Sequence, residues 1–163
     1  MPEALRAAVV TVSDSVFQGR RQDGSGPAVA ELLQKSGWTV ADRRVIADDV
    51  AVIAATLREL SGHGIEAIFT TGGTGLALRD VTPEATHKVI TREIPGLTEH
   101  IRREGARTTP TAILSRGIAG VCGTTLILNL PGSPQGAVES LKAVLPVLPH
   151  AVDLLAGRTA HSG

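Results

Sequence analysis

Two kinds of apolar pattern alternate along the 163 residues of this chain. Short apolar runs bounded by polar or glycine-rich segments predict buried strands, whereas apolar residues that recur every three or four positions predict helices with one buried face. Strands are predicted at residues 7–12, 38–46, 65–70, 118–121 and 125–130, and the second, which is mixed in polarity, as an edge strand. Helices are predicted from Pro27 to a stop at Gly37, at 50–60, at 83–90, from the break at Pro95 and Gly96 to about 104, and after Pro134, with a kink or division at Pro146 and Pro149.

Strands that alternate with helices at this spacing predict an α/β fold, a three-layer αβα sandwich with a mostly parallel central sheet. Gly123 between the last two strands allows them to form a hairpin. We expect one domain over residues 1–163, with an ordered core from about residue 6 to 157 and frayed residues from about Thr159. The pattern assigns no element to residues 111–116.

Charge balance and cysteine content narrow the classes of partner. The chain has 16 basic and 16 acidic side chains, which argues against the broad basic surface of a nucleic-acid-binding protein. Its one cysteine, Cys122, allows no internal disulfide. The first residues lack a signal-peptide pattern, and no apolar run approaches the roughly 20 residues of a membrane span. We therefore expect a cytoplasmic protein that binds neither nucleic acid nor membrane.

The most unusual segment is a glycine-rich loop after the third predicted strand. Residues 72–75, Gly-Gly-Thr-Gly, leave the backbone free to turn sharply, with N–H groups and a hydroxyl exposed. Asp80 follows, and Thr82 with Pro83 is typical of an N-cap and a first helical residue. A strand, a glycine loop, an acid and a helix start are the arrangement expected of an anion site at the carboxyl edge of a parallel sheet.

Three further polar loops follow predicted strands and are expected to meet the glycine loop at the same sheet edge. They contain Ser13 and Asp14, Asp48 and Asp49, and the Pro-Gly-Ser-Pro run at 131–134. Each loop also has a purely structural interpretation, because acids and serines before a helix often do no more than cap it or close a turn. The same alternative holds for the acid that follows the glycine loop.

The standard motifs of several kinds of site are missing. The sequence has no Walker loop, no dinucleotide fingerprint on a strand-to-helix turn, no His-Glu-x-x-His or Cys-x-x-Cys, and no nucleophile elbow around Ser115. Backbone amides, hydroxyls and carboxylates remain, a combination that suits a phosphorylated ligand with Mg²⁺. Phosphoryl or nucleotidyl transfer needs positioning and charge neutralisation but no protein nucleophile.

Taken in order, these loops carry a resemblance to a known family. The motifs are Thr-Val-Ser-Asp at 11–14, Thr-Thr-Gly-Gly-Thr-Gly at 70–75, Arg-Asp-Val-Thr-Pro-Glu-Ala-Thr at 79–86, Ile-Pro-Gly at 94–96, Ala-Ile-Leu-Ser-Arg at 112–116 and Leu-Ile-Leu-Asn-Leu-Pro-Gly-Ser-Pro at 126–134. Over about residues 6–155 they resemble the MogA/MoaB family of molybdenum cofactor biosynthesis, to which gephyrin-like domains are similar. The Arg-Asp-Val-Thr-Pro-Glu form is similar to the adenylyltransferase branch of that family.

The resemblance implies a homotrimer that performs adenylyl transfer: molybdopterin and ATP, with Mg²⁺, give adenylyl-molybdopterin and pyrophosphate. It implies that Asp80 and Asp48 are the catalytic acids and hold the metal, with the adjacent Asp49 as the alternative to Asp48. Ser13 and Asp14 would lie near the nucleotide. The other implied binding residues are Gly72, Gly73, Thr74 and Gly75 at the phosphates, Thr82 after them, and Ser115, Arg116, Pro131, Gly132, Ser133 and Pro134 on the pterin side.

Several alternatives stay open at this point. A non-catalytic molybdopterin-binding or scaffold protein of the MoaB type is the main one, although the presence of both acids favours the enzyme. A nucleotide hydrolase of the competence-damage type is another, and the Leu-Ser-Arg and Pro-Gly-Ser-Pro segments count against it. Transfer of the product to a molybdenum insertase and the use of tungsten are open. Residues 16–26 are expected to form a polar, mobile loop, whose Arg20 and Arg21 suit either phosphate or solvent.

Overall fold

A computed structural model describes residues 3–158, and within them six strands form one sheet. The strands are β1 (Arg6–Val12), β2 (Thr39–Ile46), β3 (Ala67–Thr71), β4 (Arg92–Glu93), β5 (Ala119–Cys122) and β6 (Thr125–Leu130). Their order is β2-β1-β3-β6-β5-β4. The first four strands of that order are parallel, and β5 and β4 are antiparallel to their neighbours. The mostly parallel sheet, the edge position of β2 and the hairpin of β5 and β6 are therefore confirmed.

Helices connect the strands and cover both faces of the sheet. Within residues 3–158 they are α1 (Asp14–Phe17), α2 (Ser25–Lys35), α3 (Val50–Leu60), α4 (Thr82–His87), α5 (Pro95–Ala106), α6 (Pro134–Val144) and α7 (Leu148–Leu155). A 3₁₀ turn at Leu145–Val147 separates α6 from α7, so the predicted division near Pro146 is confirmed. No helix within residues 3–158 combines the length and the apolar character that a membrane span requires.

Each face of the sheet packs on its own layer of helices. Ala7 and Val9 of β1 contribute to one layer and Ala8 and Val10 to the other, because successive side chains of a strand point to opposite faces. Helices α2, α5, α6 and α7 complete the first layer, and α3 and α4 complete the second. Strands β3 and β6 are buried along their whole length, which explains their uninterrupted apolar runs and confirms the three-layer sandwich.

The segment after β1 is more regular than its polar sequence predicts. Helix α1 forms directly behind β1, and the Ser13 hydroxyl caps it by accepting a hydrogen bond from the Val16 amide at 3.3 Å. Helix α2 begins at Ser25 rather than at Pro27. The prediction of a polar, mobile loop over residues 16–26 is therefore wrong at both ends, because residues 16–17 belong to α1 and residues 25–26 belong to α2.

Three other local predictions differ from the structure or lie outside it. The helix predicted at 83–90 ends at His87. Residues 111–116, to which the sequence pattern assigns nothing, are mostly a 3₁₀ turn at Pro110–Leu114. The frayed end predicted from Thr159 lies outside the described residues.

Phe69 in the middle of β3 provides a test of the core. It is fully buried and packs edge to face on Trp38, with ring centroids 5.8 Å apart. Phe69→Ala is expected to lower the free energy of unfolding by about 3–5 kcal/mol, because it removes a large apolar side chain and leaves a cavity. Phe17→Ala is the matched control: Phe17 is 59% exposed, and its loss is expected to change that free energy by about 0.5 kcal/mol or less. Urea unfolding followed by circular dichroism measures both free energies. Equal losses in the two variants would contradict the assignment of Phe69 to the core and Phe17 to the surface.

Candidate active site

A tight glycine turn follows β3 and faces the carboxyl end of β1. Gly72 and Gly73 have φ angles of +92° and +69°, in the left-handed region that favours glycine. A Cβ atom on Gly72 would collide with the Val12 carbonyl oxygen, and one on Gly73 would collide with the Thr82 hydroxyl. Within residues 3–158, the amides of residues 73–75 have no hydrogen-bond acceptor. The turn therefore presents unused backbone donors, which suit an anion.

Hydrogen bonds from α4 hold the turn in place. The Thr82 amide donates to the Gly73 carbonyl at 3.1 Å, and the Thr82 hydroxyl donates to the Gly72 carbonyl at 3.0 Å. The prediction that Thr82 is an N-cap is wrong, because α4 begins at Thr82 and the preceding residue, Val81, makes no side-chain cap. The hydroxyl that suggested a helix cap satisfies the glycine turn instead.

A buried polar network supports the turn from behind. The side-chain amide of Asn129 on β6 donates to the hydroxyls of Thr70 at 3.0 Å and Thr86 at 3.1 Å, and its oxygen accepts from the Ile118 amide at 3.1 Å. The Thr86 hydroxyl donates in turn to the Thr82 carbonyl at 2.8 Å. A buried network whose members are all satisfied is rigid, so β3, β6 and α4 hold the turn as one unit.

Arg116 holds the far side of the glycine loop. Its guanidinium donates to the carbonyl oxygens of Gly75 at 2.9 Å and Asp80 at 2.7 Å, and to the Glu84 carboxylate at 2.7 Å. The Arg116 amide also donates to the Thr74 carbonyl at 2.8 Å. The Arg116 hydrogen bond lowers the pKa of Glu84 below its ordinary value. Arg116 thus shapes the loop by binding its backbone.

The two adjacent acids before α3 have different surroundings. Asp49 is the N-cap of α3, since its carboxylate accepts from the Val52 amide at 2.9 Å. Asp48 faces the glycine turn, and a Cβ atom on Gly73 would lie 3.2 Å from its Oδ1 atom. Burial raises the pKa of Asp48, and the charge of the nearby Asp80 adds to this shift. Asp49 therefore acts as a helix cap, whereas Asp48 faces the site.

Asp14 connects the loops that follow β1 and β2. The Asp14 amide donates to Asp48 Oδ2 at 2.9 Å, and the Asp48 amide donates to Asp14 Oδ1 at 3.0 Å. The second oxygen of Asp14 accepts from the Arg79 guanidinium at 2.6 Å. The bond from the Asp48 amide and the Arg79 ion pair both lower the pKa of Asp14. Because both its oxygens are bound by protein groups, the Asp14 carboxylate acts here as a clamp on Asp48.

Asp80 ends the glycine loop and lies against it. Its Oδ2 atom accepts from the Ala77 amide at 3.1 Å and would lie 2.8 Å from a Cβ atom on Gly75. The charge of Asp80 contributes to the raised pKa of Asp48, and both acids line one cavity beside the turn. An arrangement with these acids on opposite sides of the molecule is thereby excluded.

Two cavities open on the two sides of the glycine turn. The smaller, of about 560 Å³, lies between the turn and the loops that follow β1 and β2. The larger, of about 1110 Å³, lies between the glycine loop, α5, α6 and the 3₁₀ turn at Pro110–Leu114. Gly73, Asp80, Gly132 and Ser133 line both cavities. Two ligands, one in each cavity, would therefore meet beside Asp80 and the turn.

Known proteins are similar to this chain in fold and in sequence. The sequence profile of a family described as a probable molybdopterin binding domain matches residues 8–150. The chain belongs to this family. A solved structure of the molybdopterin biosynthesis enzyme MoaB from Thermus thermophilus is similar to it with a TM-score of 0.89 and 52% sequence identity, covering 94% of this chain and 97% of that one.

Curated relatives of the family are similar over nearly the whole chain. The molybdenum cofactor synthesis protein cinnamon of Drosophila melanogaster is 41% identical over 158 residues, which are 94% of this chain. The chain spans 26% of the length of that relative. The molybdopterin adenylyltransferase of Helicobacter pylori is 39% identical over 158 residues, covering 95% of this chain and 90% of that protein.

The predicted site residues of this molybdopterin-binding family member fall into groups by position. Ser133 also caps α6, accepting from the Gly136 amide at 3.1 Å, as the sequence predicts. Asp14, Thr82 and Arg116 line neither of the two cavities described above, because their polar groups hold neighbouring loops. Ser13, Asp48, Gly72 and Pro134 line the smaller cavity, Thr74, Gly75, Ser115 and Pro131 line the larger, and Gly73, Asp80, Gly132 and Ser133 line both.

Both cavity walls include polar residues beyond those predicted from the sequence. Asp23 lines the smaller cavity, where its carboxylate accepts from the Thr11 hydroxyl at 2.8 Å and the Gly26 amide at 3.0 Å. Its position three residues before a glycine in a Gly-Ser-Gly run was an available signal. Polar residues of α5 and α6, such as His100 and Glu139, line the larger cavity. No sequence pattern marks these, because only the packing of the two helices brings them to the cavity.

Gly73 provides a test of the turn as an anion site. Gly73→Ala is expected to abolish most binding of a phosphate-bearing ligand such as ATP at this turn, because the new Cβ would displace the Thr82 hydroxyl and crowd Asp48. Gly123→Ala is the matched control: Gly123 also has a positive φ, of +62°, but nothing lies within 4 Å of its Cβ position. The control is expected to lose about 1–2 kcal/mol of stability and no affinity. Calorimetric titration with ATP measures this, and unchanged affinity in Gly73→Ala would refute the assignment.

Glu84 provides a test of the loop clamp through pH. Since Arg116 lowers the Glu84 pKa from its ordinary 4.5, the pair stabilises the fold above that pH and loses its effect as the pH falls through the lowered pKa. Glu84→Gln is therefore expected to be less stable than the wild type at pH 7, and the difference is expected to shrink as the pH falls below 4.5 and through the lowered pKa. Glu31→Gln, which breaks an exposed pair with Lys35, is expected to change little at either pH. Urea unfolding measures these stabilities. If Glu84→Gln lowered the free energy of unfolding equally at every pH, the stabilising role of the ion pair between Arg116 and Glu84 would be contradicted.

Proposed function

We propose that this protein is a molybdopterin adenylyltransferase, which transfers AMP from ATP to the terminal phosphate of molybdopterin and releases pyrophosphate. The observation that carries the proposal is the pair of cavities that share Gly73, Asp80, Gly132 and Ser133. Two substrates bound in them would meet at one point with their reacting groups side by side. The name of the Helicobacter pylori relative, similar over 95% of this chain, supports the same activity.

The positions of the acids support placing one substrate in each cavity. Asp48 and Asp80 both line the smaller cavity, so the metal-bound triphosphate of ATP belongs there. Molybdopterin then belongs in the larger cavity, whose wall includes Ser115 and Pro131. Its terminal phosphate would reach the shared residues, where the unused amides of residues 73–75 can donate to phosphate oxygens.

The two acids fit Mg²⁺. Within residues 3–158 no group of three or more His, Cys, Asp or Glu side chains is arranged to hold a metal. Mg²⁺ does not require one, because it commonly binds one or two carboxylates and completes its shell with water and substrate phosphates. The clamp from Asp14 leaves Asp48 Oδ1 directed toward the turn. When bound, Mg²⁺ would neutralise phosphate charge during the transfer.

The transfer needs positioning more than side-chain chemistry. An oxygen of the terminal phosphate of molybdopterin bonds to the α-phosphorus of ATP, and the bond from that phosphorus to the bridging oxygen of the β-phosphate breaks. The electron pair of the broken bond leaves with pyrophosphate. The rigid glycine turn positions the α-phosphate of the adenylyl group that is transferred, and no protein nucleophile takes part. The larger cavity orients the attacking phosphate toward the turn.

A reconstitution experiment tests the proposed activity. The protein is mixed with ATP, Mg²⁺ and molybdopterin, and pyrophosphate release is measured with each component omitted in turn. Release that requires all three is the expected result. Binding of molybdopterin without any release would refute the activity and favour a non-catalytic molybdopterin-binding protein.

Three aspartate variants test the roles of the acids. Asp80→Asn and Asp48→Asn are each expected to keep the fold and lose about a hundredfold or more in turnover, because a charge that positions the metal-bound triphosphate is gone. Asp49→Asn is the matched control, since asparagine caps a helix as well as aspartate does. It is expected to retain turnover. Steady-state rates measure all three, and a reversal between residues 48 and 49 would show that Asp49 is the second acid.

The assembly and cellular setting follow the same proposal. We propose a homotrimer, which light scattering tests as three times the mass of one chain. We also propose that the protein acts in the cytoplasm, without nucleic acid or membrane as partners, and transfers its adenylylated product to a molybdenum insertase. A stable monomer at working concentrations would refute the trimer.

A further inference from the structure

The wall of the smaller cavity includes one basic residue, Arg21, among several acids. Arg21 lines the cavity together with Asp23, Asp48 and Asp80. Among the described residues that line this cavity, Arg21 is the only lysine or arginine. The sequence leaves open whether this arginine faces phosphate or solvent, and the structure places it on the cavity wall.

The backbone of Arg21 is fixed by a hydrogen bond, whereas its guanidinium has no partner among the described residues. The amides of Arg20 and Arg21 both donate to the Ser15 carbonyl, at 2.8 Å and 3.2 Å, after a turn at Gly19 with φ of +75°. Within residues 3–158 the Arg21 side chain makes no ion pair and no hydrogen bond. By contrast, Arg79 and Arg116 are bound by carboxylates.

The charge of the proposed substrate favours a further cation in this cavity. A nucleoside triphosphate carries more negative charge than one Mg²⁺ neutralises, and the carboxylates of Asp48 and Asp80 line the same cavity. Asp23 on the same wall does not balance this negative charge, because it is itself a carboxylate, which accepts hydrogen bonds from Thr11 and Gly26. A guanidinium presents several N–H donors in a fork that matches phosphate oxygens.

The junction of the two cavities decides which part of the nucleotide Arg21 can reach. The α-phosphate must lie beside Asp80 and Gly73, which line both cavities, whereas Arg21 lines the smaller cavity alone. Resting on the proposed function, we infer that Arg21 binds the β- and γ-phosphates of ATP, the part that leaves as pyrophosphate. Negative charge grows on this group as the bond to the α-phosphorus breaks, and the guanidinium stabilises it.

Binding of separate halves of the nucleotide tests this assignment without turnover. Pyrophosphate, AMP and ATP, each with Mg²⁺, are titrated calorimetrically into the wild type, Arg21→Ala and Arg20→Ala. Arg21→Ala is expected to weaken binding of pyrophosphate and ATP by about tenfold or more, as for loss of a charge-assisted hydrogen bond, and binding of AMP by less than about twofold. Arg20→Ala removes an equal charge from the adjacent residue, which does not line the cavity, and is expected to change none of the three.

The possible outcomes separate this inference from the proposed function. Unchanged pyrophosphate affinity in Arg21→Ala would overturn the inference, as would equal weakening of AMP, which would place the arginine on the nucleoside. Equal effects of the two arginine variants would show only a long-range charge effect and would also overturn it. A wild type that binds ATP and pyrophosphate but releases no pyrophosphate with molybdopterin would refute the activity and leave the Arg21 site intact. A wild type that binds neither would refute both.

Discussion

The close approach of the glycine turn to the end of β1 is the constraint on which the site depends. Gly72 passes so near the Val12 carbonyl that a side chain at this position is excluded. At Gly73 a side chain would collide with the Thr82 hydroxyl. The carbonyls of both glycines are satisfied by protein groups, while the amides that follow have no acceptor in the described part of the chain. A backbone fixed in this way keeps its donors directed without reorganisation, which is what recognition of a phosphate requires.

The acids of the site are positioned by backbone contacts between loops. Asp14 and Asp48 exchange amide-to-carboxylate hydrogen bonds, so the loops after β1 and β2 fix each other. Asp80 belongs to the glycine loop, whose far side is held by Arg116. The ion pair between Arg79 and Asp14 links the glycine loop to the loop after β1. These contacts together hold the loops at the carboxyl edge of one sheet, where α/β proteins usually bind their ligands. The two cavities meet at that edge because both are bounded by the same turn.

The basic residues near the site divide by what they bind. Arg79 pairs with Asp14 and Arg116 with Glu84, so their charges are balanced within the protein. Each stabilises a loop that the acids or the turn depend on. Arg21, on the wall of the smaller cavity, has no such partner among the described residues, and its charge is available to a ligand. All three residues are arginines, and the sequence does not distinguish them. Only their surroundings in the fold show which arginines pair with a carboxylate of the protein and which does not.

Patterns confined to neighbouring residues were readable from the chain alone. The apolar runs of β3 and β6, the cap at Ser133 and the division before α7 follow from periodicity, local hydrogen bonding and proline geometry, which act over a few residues. The different roles of Asp48 and Asp49 and the contacts of Arg116 with the glycine loop could not be predicted from these patterns. They depend on partners about 30 or more residues away in the chain. The tertiary structure alone decided which polar groups were satisfied by the protein and which remained for a ligand, since that depends on what folding brings next to each of them.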